Sequence, residues 1–242
     1  MKHLNLFNSN SEYELHKNSS QYVTPEVSFI EETSTVFYVP KQELYEWVDL
    51  GLPSGILWAD RNVGATKPEN FGLYFAWGET QGYEGITDEK QFSWGDYKLC
   101  NGTSSTLTKY NNKSSSGVVD NLTTLEQVDD VVYQSDNSCR IPTKADFKEL
   151  IANTTSVWET LNGVNGRRFT SKTNGNSIFV PAAGLCYDGS VDLVGSHGIL
   201  WGSSLNEGNS SSACGLYFNS GYVDVGNNNR FNGVTVRPVK SK

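Results

Sequence analysis

Near its C-terminus the chain contains a run in which apolar side chains alternate with small and polar ones. In residues 214–226, "CGLYFNSGYVDVG", Leu216 and Phe218 precede an Asn-Ser-Gly turn, and Val223 and Val225 follow it. Successive side chains of a β-strand point to opposite faces, so these four residues share one apolar face of a β-hairpin. The segment therefore predicts a sheet with one side packed against a core.

Similar short runs, separated by Gly and Asn, occur at residues 177–184, 198–204 and 233–239, and strand and turn signals also alternate from Val48 onward. The clearest helix is predicted for "PTKADFKELIAN", with Thr143 as its cap. The apolar positions of this helix, spaced for a single face, are Phe147, Leu150 and Ile151. Together these patterns indicate an α+β fold with few helices and a β-rich C-terminal half.

A second helix is predicted around residues 124–134, where Leu125, Val128 and Val132 have helical spacing. Asp129 and Asp130 lie within this segment. Adjacent helical residues point in different directions, so we interpret the two acids as part of a solvated helix face rather than as a catalytic pair.

The first forty residues are expected to form a separate small module. Ser9 and Glu12 have the spacing of a capping box for a short helix, and residues 26–39 read as a β-hairpin that ends at Pro40. We therefore divide the chain into an N-terminal module (1–40), a linker (41–46) and a main domain (47–242).

Composition and charge exclude some classes of function. The net charge of -8 argues against nucleic-acid partners, because phosphate binding needs a basic surface. No apolar run is long enough to cross a bilayer, and the N-terminus lacks the apolar core of a secretory signal. We expect synthesis in a cytoplasm, with no signal peptide and no membrane insertion.

The residue types that usually act in catalysis or bind metal ions are scattered along the chain. The four cysteines form no CxxC pair, so reduced thiols are expected, with one disulfide formed after release from the cell as the alternative. The three histidines make no metal-binding motif, and the Asp and Asn residues do not have the spacing of a calcium-binding loop. We expect no catalytic residues, no metal site and no cofactor.

The outward face of the predicted hairpin is the candidate ligand-binding site. It continues into an asparagine-rich stretch that we expect to be a loop, since Asn is a poor strand former. The candidate residues are Gly215, Tyr217, Tyr222, Asp224, Gly226, Asn227, Asn228, Asn229, Phe231 and Asn232. Tyr, Asn, Gly and Asp together are typical of adaptable antibody paratopes, although Asn and Gly also serve simply to form loops.

Most tryptophans lie in apolar stretches and are expected in the core: Trp58, Trp77, Trp94 and Trp158. Trp201 is close to the proposed face and is added to the candidate site. Arg237, between Val236 and Pro238, is expected to be a structural arginine paired inside the domain.

Five segments resemble the Fibrobacter-type major paralogous domain (FISUMP) found in gut Bacteroidetes and their phages. They are "VDLGLPSGILWADRNVGATKPENFGLYFAWGET", "RIPTKADFKELI", "NGVNGRRFTSKTNGNSIFVPAAG", "GILWGSSLNEG" and "GVTVRPVK". The resemblance implies a C-type-lectin-like fold of the sulfatase-modifying-factor branch, with paired terminal strands and a late β-hairpin that presents a binding face. The chain differs from the usual family sequence at two places: it has Cys139 where the family usually has Trp, and "WGSS" in place of "WSSS".

The same fold and C-terminal ending occur in variable proteins of diversity-generating retroelements, in which template adenines are mutated. Asparagine codons begin with two adenines, and their variants encode Tyr, Asp, Ser, Gly, Cys, Phe and Asn. Every candidate residue of the hairpin and the following stretch belongs to this set, as does Cys214. The resemblance therefore implies a hypervariable binding face.

Residues 1–40 resemble a short module at the start of virion proteins of gut Bacteroides phages, including crAss-like phages. We therefore expect a non-enzymatic virion protein, a fibre or a capsid or tail decoration, that binds a bacterial surface glycan or protein. The resemblance implies that residues 1–40 are an attachment or oligomerisation module that contacts other virion proteins and that residues 47–242 are the binding domain, and a homotrimer is expected by analogy with fibres. Such a protein would assemble in the host cytoplasm and become extracellular with the particle.

Two alternatives have their own sequence requirements. A secreted or lipid-anchored bacterial adhesin with the same domain needs an export signal. An enzyme of the sulfatase-modifying type needs a closely spaced pair of cysteines late in the chain, and Cys186 and Cys214 are far apart.

Overall fold

The structure, a computed structural model, describes residues 45–242. Within this range the elements in chain order are β1 (Trp47–Asp49), β2 (Leu57–Ala59), β3 (Tyr74–Phe75), η1 (Ser114–Ser116), η2 (Gln127–Asp129), α1 (Val131–Ser135), β4 (Cys139–Arg140), α2 (Lys144–Asn153), β5 (Thr154–Leu161), β6 (Val164–Ser171), β7 (Ser177–Pro181), β8 (Leu185–Tyr187), β9 (Ser190–Asp192), β10 (His197–Leu205), β11 (Ser212–Asn219), β12 (Val223–Asn229), β13 (Val234–Thr235) and β14 (Val239–Lys240), where η denotes a 3-10 helix. The described part is mainly β-sheet with few helices. This confirms the predicted β-rich α+β class.

The strands form four sheets. A five-stranded sheet has the order β12-β11-β10-β13-β3, and a four-stranded sheet has the order β1-β2-β14-β4. β5, β6 and β7 form a three-stranded meander, and β8 and β9 form a hairpin. In the four-stranded sheet Val239 lies opposite both Trp58 and Arg140, so the end of the chain is paired with segments far away in sequence.

The inner strands β10 and β11 of the five-stranded sheet are buried on both faces. On one face Leu200 and Leu216 pack in a core that includes Trp58 and the buried side of α2. On the opposite face Ile199 and Trp201 pack in a second core, built largely by segments before β4. The apolar side chains of β10 therefore enter one core or the other.

Helix α2 begins where its sequence signals predict. The Asp146 backbone N donates to Thr143 Oγ1 at 3.2 Å, and the Thr143 backbone N donates to Asp146 Oδ2 at 2.6 Å. This capping box satisfies N–H groups that a helix leaves unpaired at its start. Phe147 and Leu150 are fully buried and Ile151 is partly buried against the same core, which confirms the predicted apolar face.

The single helix predicted around residues 124–134 is wrong. The 3-10 helix η2 and the short helix α1 are separated by Asp130, which has extended backbone angles. Asp130 Oδ1 accepts hydrogen bonds from the Val132 and Tyr133 backbones, and its Oδ2 accepts one from the Ile141 backbone. Asp130 is therefore a buried helix cap and not part of a solvated face, whereas Val128 is exposed.

The strands β5 and β6 are absent from the sequence predictions, whereas β7 lies within the strand-like run predicted at residues 177–184. Asn162 and Gly163 connect β5 to β6 with φ values of 49° and 85°. Two successive positive φ angles are the signature of a type I′ turn, for which Asn-Gly is the preferred sequence. The dipeptide could therefore have predicted this hairpin.

Several expected core residues are buried as predicted. Trp58 and Trp77 are almost completely buried, and Trp94 and Trp158 are partly buried against core clusters. Arg237 is fully buried and donates to Asn62 Oδ1 and to backbone carbonyls of β2 and β7. Its expected structural role is confirmed.

The helix-plus-hairpin module predicted for residues 1–40 lies outside the described residues, as do positions 41–44 of the predicted linker. Between residues 45 and 242, no helix is both long enough and apolar enough to cross a membrane.

Candidate functional site

The hairpin of β11 and β12 has the two faces that the alternation predicts. Its cross-strand pairs include Leu216–Val225 and Phe218–Val223 on one face, and Gly215–Gly226 and Tyr217–Asp224 on the other. The first set of side chains packs into the core that contains α2, as expected. The predicted division of the hairpin is confirmed.

The three consecutive asparagines continue β12, and the loop predicted for them is wrong. Asn227, Asn228 and Asn229 lie opposite Cys214, Ala213 and Ser212 of β11. Backbone pairing with the neighbouring strand overrides the low strand propensity of Asn. Because side chains alternate, Asn228 lies on the face of Gly226, whereas its two neighbours lie on the opposite face.

The predicted placement of Trp201 and Gly215 on an exposed face is wrong. They are cross-strand partners, and Trp201 is 1% exposed with its Nε1 donating to the Phe75 carbonyl oxygen at 2.8 Å. A Cβ atom at Gly215 would lie 2.6 Å from the Leu200 carbonyl oxygen. Segments from earlier in the chain cover the outward face of β10 and β11 at this point, so neither residue reaches the surface.

Phe231 and Asn232 are also buried, contrary to their predicted placement on the surface. The Phe231 ring centre lies 4.9 Å from that of Trp94, in an edge-to-face arrangement. Asn232 Nδ2 donates to Asn228 Oδ1 at 2.7 Å. These two residues therefore support the end of β12 from within the domain.

Arg230 is a structural residue of this stretch that sequence reasoning missed. It is fully buried, and its Nε donates to Tyr97 Oη at 2.9 Å. Its remaining N–H groups donate to the carbonyl oxygens of Lys109, Tyr110 and Ser210. The sequence signal was a single cation inside an uncharged run, and its role is to anchor the chain directly after β12.

What remains exposed is a narrower surface, the edge-strand patch. Its exposed members are Tyr222, Asp224, Asn227 and Asn229, beside the partly buried Tyr217, Gly226 and Asn228. β12 is at one edge of the five-stranded sheet. The exposed side chains lie on both faces of this edge strand rather than on the single face that was predicted.

The turn before β12 is held by Asn219. Its Oδ1 accepts hydrogen bonds from the backbone N of Gly221 at 2.8 Å and from that of Tyr222 at 3.1 Å. This is the local bonding by which asparagine stabilises turns. The turn itself was predicted, and the structure adds that Asn219 fixes the backbone that presents Tyr222, which is 48% exposed.

The edge-strand patch offers neutral polar groups, one carboxylate and one exposed aromatic ring. Asn amides supply both donors and acceptors, and Asp224 supplies acceptors only. Burial raises the pKa of the Tyr217 hydroxyl well above its usual range, so it stays a neutral phenol beside the patch. Such a surface suits the binding of another polar surface.

Elsewhere, residues 45–242 contain no group of three or more His, Cys, Asp or Glu side chains placed to hold a metal ion. All four cysteines are buried free thiols. Burial raises the pKa of each thiol, and it raises that of Cys186 to about 12. A thiol with a raised pKa stays protonated and is a poor nucleophile.

Comparison with known proteins gives no match to any family model, to any curated protein or to any solved structure.

Proposed function

We propose that this chain is a phage virion structural protein, a fibre or a capsid or tail decoration, that displays a C-type-lectin-like domain of the FISUMP type. Its role is to attach the particle to a glycan or protein of the bacterial surface, without catalysis. The observation that carries this proposal is the edge-strand patch. Adaptable polar and aromatic side chains are exposed on a strand whose neighbours are fixed in two cores, which is how rigid scaffolds present binding residues.

The topology gives further support. β14 pairs with β2, and the β11–β12 hairpin comes late in the chain. The resemblance implies paired terminal strands and a late hairpin for a C-type-lectin-like domain; here β2 lies between β1 and β14 and joins the two ends of the domain, and the late hairpin is formed by β11 and β12. Fold alone does not determine function, so the argument still depends on the surface chemistry of the patch.

Adsorption to host cells tests the attachment role. Particles carrying Y222A together with D224A are expected to adsorb more slowly to host cells, because an exposed aromatic ring and a carboxylate are lost from the patch. The matched control is T155A together with V157A, two exposed positions on β5. Equal adsorption of the two double variants, with equal particle yields, would contradict the proposal.

Repeated sequencing of the gene from one phage population tests the proposed variability. Substitutions are expected at the exposed members of the patch, Tyr222, Asp224, Asn227 and Asn229. They should be rare at Gly215, which has no space for a side chain, and at the buried anchor Arg230. An even spread of substitutions over the surface would count against diversification.

A further inference from the structure

His197, at the start of β10, belongs to a chain of hydrogen bonds that ends at the turn before β12. Its Nε2 lies 3.3 Å from Asn219 Nδ2, and its Nδ1 lies 3.1 Å from Ser196 Oγ. His197 and Asn219 are cross-strand partners, and Asn219 holds the backbone that presents Tyr222. His197 therefore contacts the side chain that fixes one end of the edge-strand patch.

The turn determines which way the Asn219 amide points. Its Oδ1 accepts hydrogen bonds from the backbone N of Gly221 at 2.8 Å and from that of Tyr222 at 3.1 Å. The reversed amide would place its NH2 group against these two backbone donors. The atom that faces His197 is therefore Nδ2, which is a donor only, so Nε2 of the ring must be the acceptor and carries no proton.

Ser196 determines the state of the other ring nitrogen. Its Oγ donates to the Leu193 carbonyl oxygen at 2.8 Å, so the same Oγ is free to accept from the ring. Nδ1 of His197 therefore carries the proton, and the network fits one tautomer of a neutral imidazole. A second proton on Nε2 would bring two donors face to face, and Asn219 could then offer its Oδ1 to the ring only by withdrawing it from the turn.

The surroundings of His197 provide no counter-ion for a charged ring. The titratable groups of the elements beside it on this face are Tyr187, Asp188, Asp192, Tyr217, Tyr222 and Asp224. Within residues 45–242, none of these three acids forms an ion pair with His197. The charged residues of the meander are on the other side of the sheet, where Leu200 and Phe218 pack. Protonation would therefore remove the hydrogen bond to Asn219 without supplying an ion pair in exchange.

We infer that His197 is a positioning residue that holds the β11–β12 turn only while its ring is neutral, so that the presentation of Tyr222 depends on pH. Imidazoles gain their second proton between about pH 7.5 and about pH 5.5, and over this range the turn loses its link to β10. The consequence for attachment rests on the proposed function. The coupling between the proton and the turn involves no partner and can be tested alone.

NMR spectra of the full chain, recorded across this pH range, test the coupling. The amide signals of Gly221 and Tyr222 are expected to move with the same midpoint as the ring signals of His197. In H197Q they should stay in place, because a glutamine carbonyl oxygen can accept from Asn219 but takes up no proton. Turn signals that ignore the His197 titration, or that keep the wild-type midpoint in H197Q, would overturn the inference.

The variant N219D distinguishes a broken hydrogen bond from the mere nearness of a charge. An aspartate keeps one oxygen for the turn, and its second oxygen accepts from a protonated Nε2–H. As the pH falls, protection of the Tyr222 amide from hydrogen exchange, relative to an unfolded peptide at the same pH, should decrease about threefold or more in the wild type. It should stay level in H197Q and increase in N219D. An equal decrease in the wild type and in N219D would contradict the proposed role of His197.

Adsorption to host cells separates this inference from the proposed function. At the lower pH, wild-type particles are expected to adsorb about threefold or more slowly than H197Q particles, and at the higher pH the two should adsorb alike. A turn that responds to pH while the two kinds of particle adsorb equally would refute attachment through the patch and leave the coupling intact. A turn that does not respond to pH overturns the inference whatever the adsorption rates are.

Discussion

Arg230 shows how one buried side chain separates surface residues from core residues in a short stretch. Its guanidinium lies 4.9 Å from the centre of the Trp77 ring and 5.3 Å from that of Tyr97, in addition to its hydrogen bonds. Because this residue is held inside the domain, Asn229 before it stays exposed and Phe231 after it is drawn into a core. The composition of the stretch suggests a uniform binding loop, whereas in the structure exposure ends at Asn229 and residues 230–232 are buried.

Replacing Arg230 is therefore expected to cost much of the stability of the domain. R230M leaves one hydroxyl and three carbonyl oxygens, two of them buried, without this donor, which should lower the free energy of unfolding by about 3 kcal/mol or more. Urea denaturation measures the change. R168M, which removes a half-exposed ion pair with Glu159, should cost only about 1 kcal/mol or less. Equal midpoints for the two variants would contradict the anchoring role.

At the level of secondary-structure elements, the N-terminal cap of helix α2 makes the stability of the domain depend on pH. Burial alone would raise the pKa of Asp146, but hydrogen bonds from Arg140 and Thr143 outweigh burial and hold this pKa below its usual range. The folded protein therefore binds this proton more weakly than the unfolded chain does. The resulting stabilisation is present above the unfolded pKa, near pH 4, and is lost as the pH falls through the folded value.

The variant D146N should reveal this coupling. At neutral pH it is expected to lower the free energy of unfolding by about 1–2 kcal/mol, because the capping box and the Arg140 ion pair are weakened. Between about pH 5 and about pH 3 it should lose less stability than the wild type, since the titrating carboxyl is gone. Thermal unfolding followed by circular dichroism at each pH measures both effects. D88N, at an exposed aspartate, is the control, and a D146N profile parallel to that of the wild type would refute the coupling.

The sequence predicts elements best where one short segment contains the whole signal. The α2 cap and the β11–β12 faces depend on residues a few positions apart, and both predictions are confirmed. The exposure of the candidate site depends on distant segments, since Trp201 donates to Phe75, 126 residues away. No local pattern indicates that such a segment covers the outward face. The helix around Asp130 was wrong for a similar reason, because its cap also binds the Ile141 backbone.

For the molecule as a whole, the strand pairs that join the start of the described domain to its end all lie within that domain. The four-stranded sheet joins strands that begin at Trp47, Leu57, Cys139 and Val239, all within residues 45–242. The proposal that residues 1–40 attach the protein to the particle therefore leads to two separate expectations. The rest of the chain should fold without these residues, and assembly into particles should require them.

Deleting residues 1–40 should abolish incorporation into particles while the remaining domain keeps its thermal unfolding transition. The reason is that every described strand and helix is retained in residues 41–242. Immunoblots of purified particles measure incorporation, and circular dichroism of the purified domain checks folding. Normal incorporation of the shortened protein would refute the attachment role of residues 1–40.

The arrangement of β1, β2 and β14 also has a mechanical consequence. β1 and β14 both run antiparallel to β2, so they run parallel to each other. Trp47, at the start of β1, lies opposite Ala59, whereas Lys240, at the end of β14, lies opposite Leu57. Tension applied between the two ends of the domain would pull these strands in opposite directions along β2, at right angles to the hydrogen bonds that join them. The bonds would then be strained together in shear rather than opened one after another, so the closing sheet should resist stretching well beyond what its few short strands suggest.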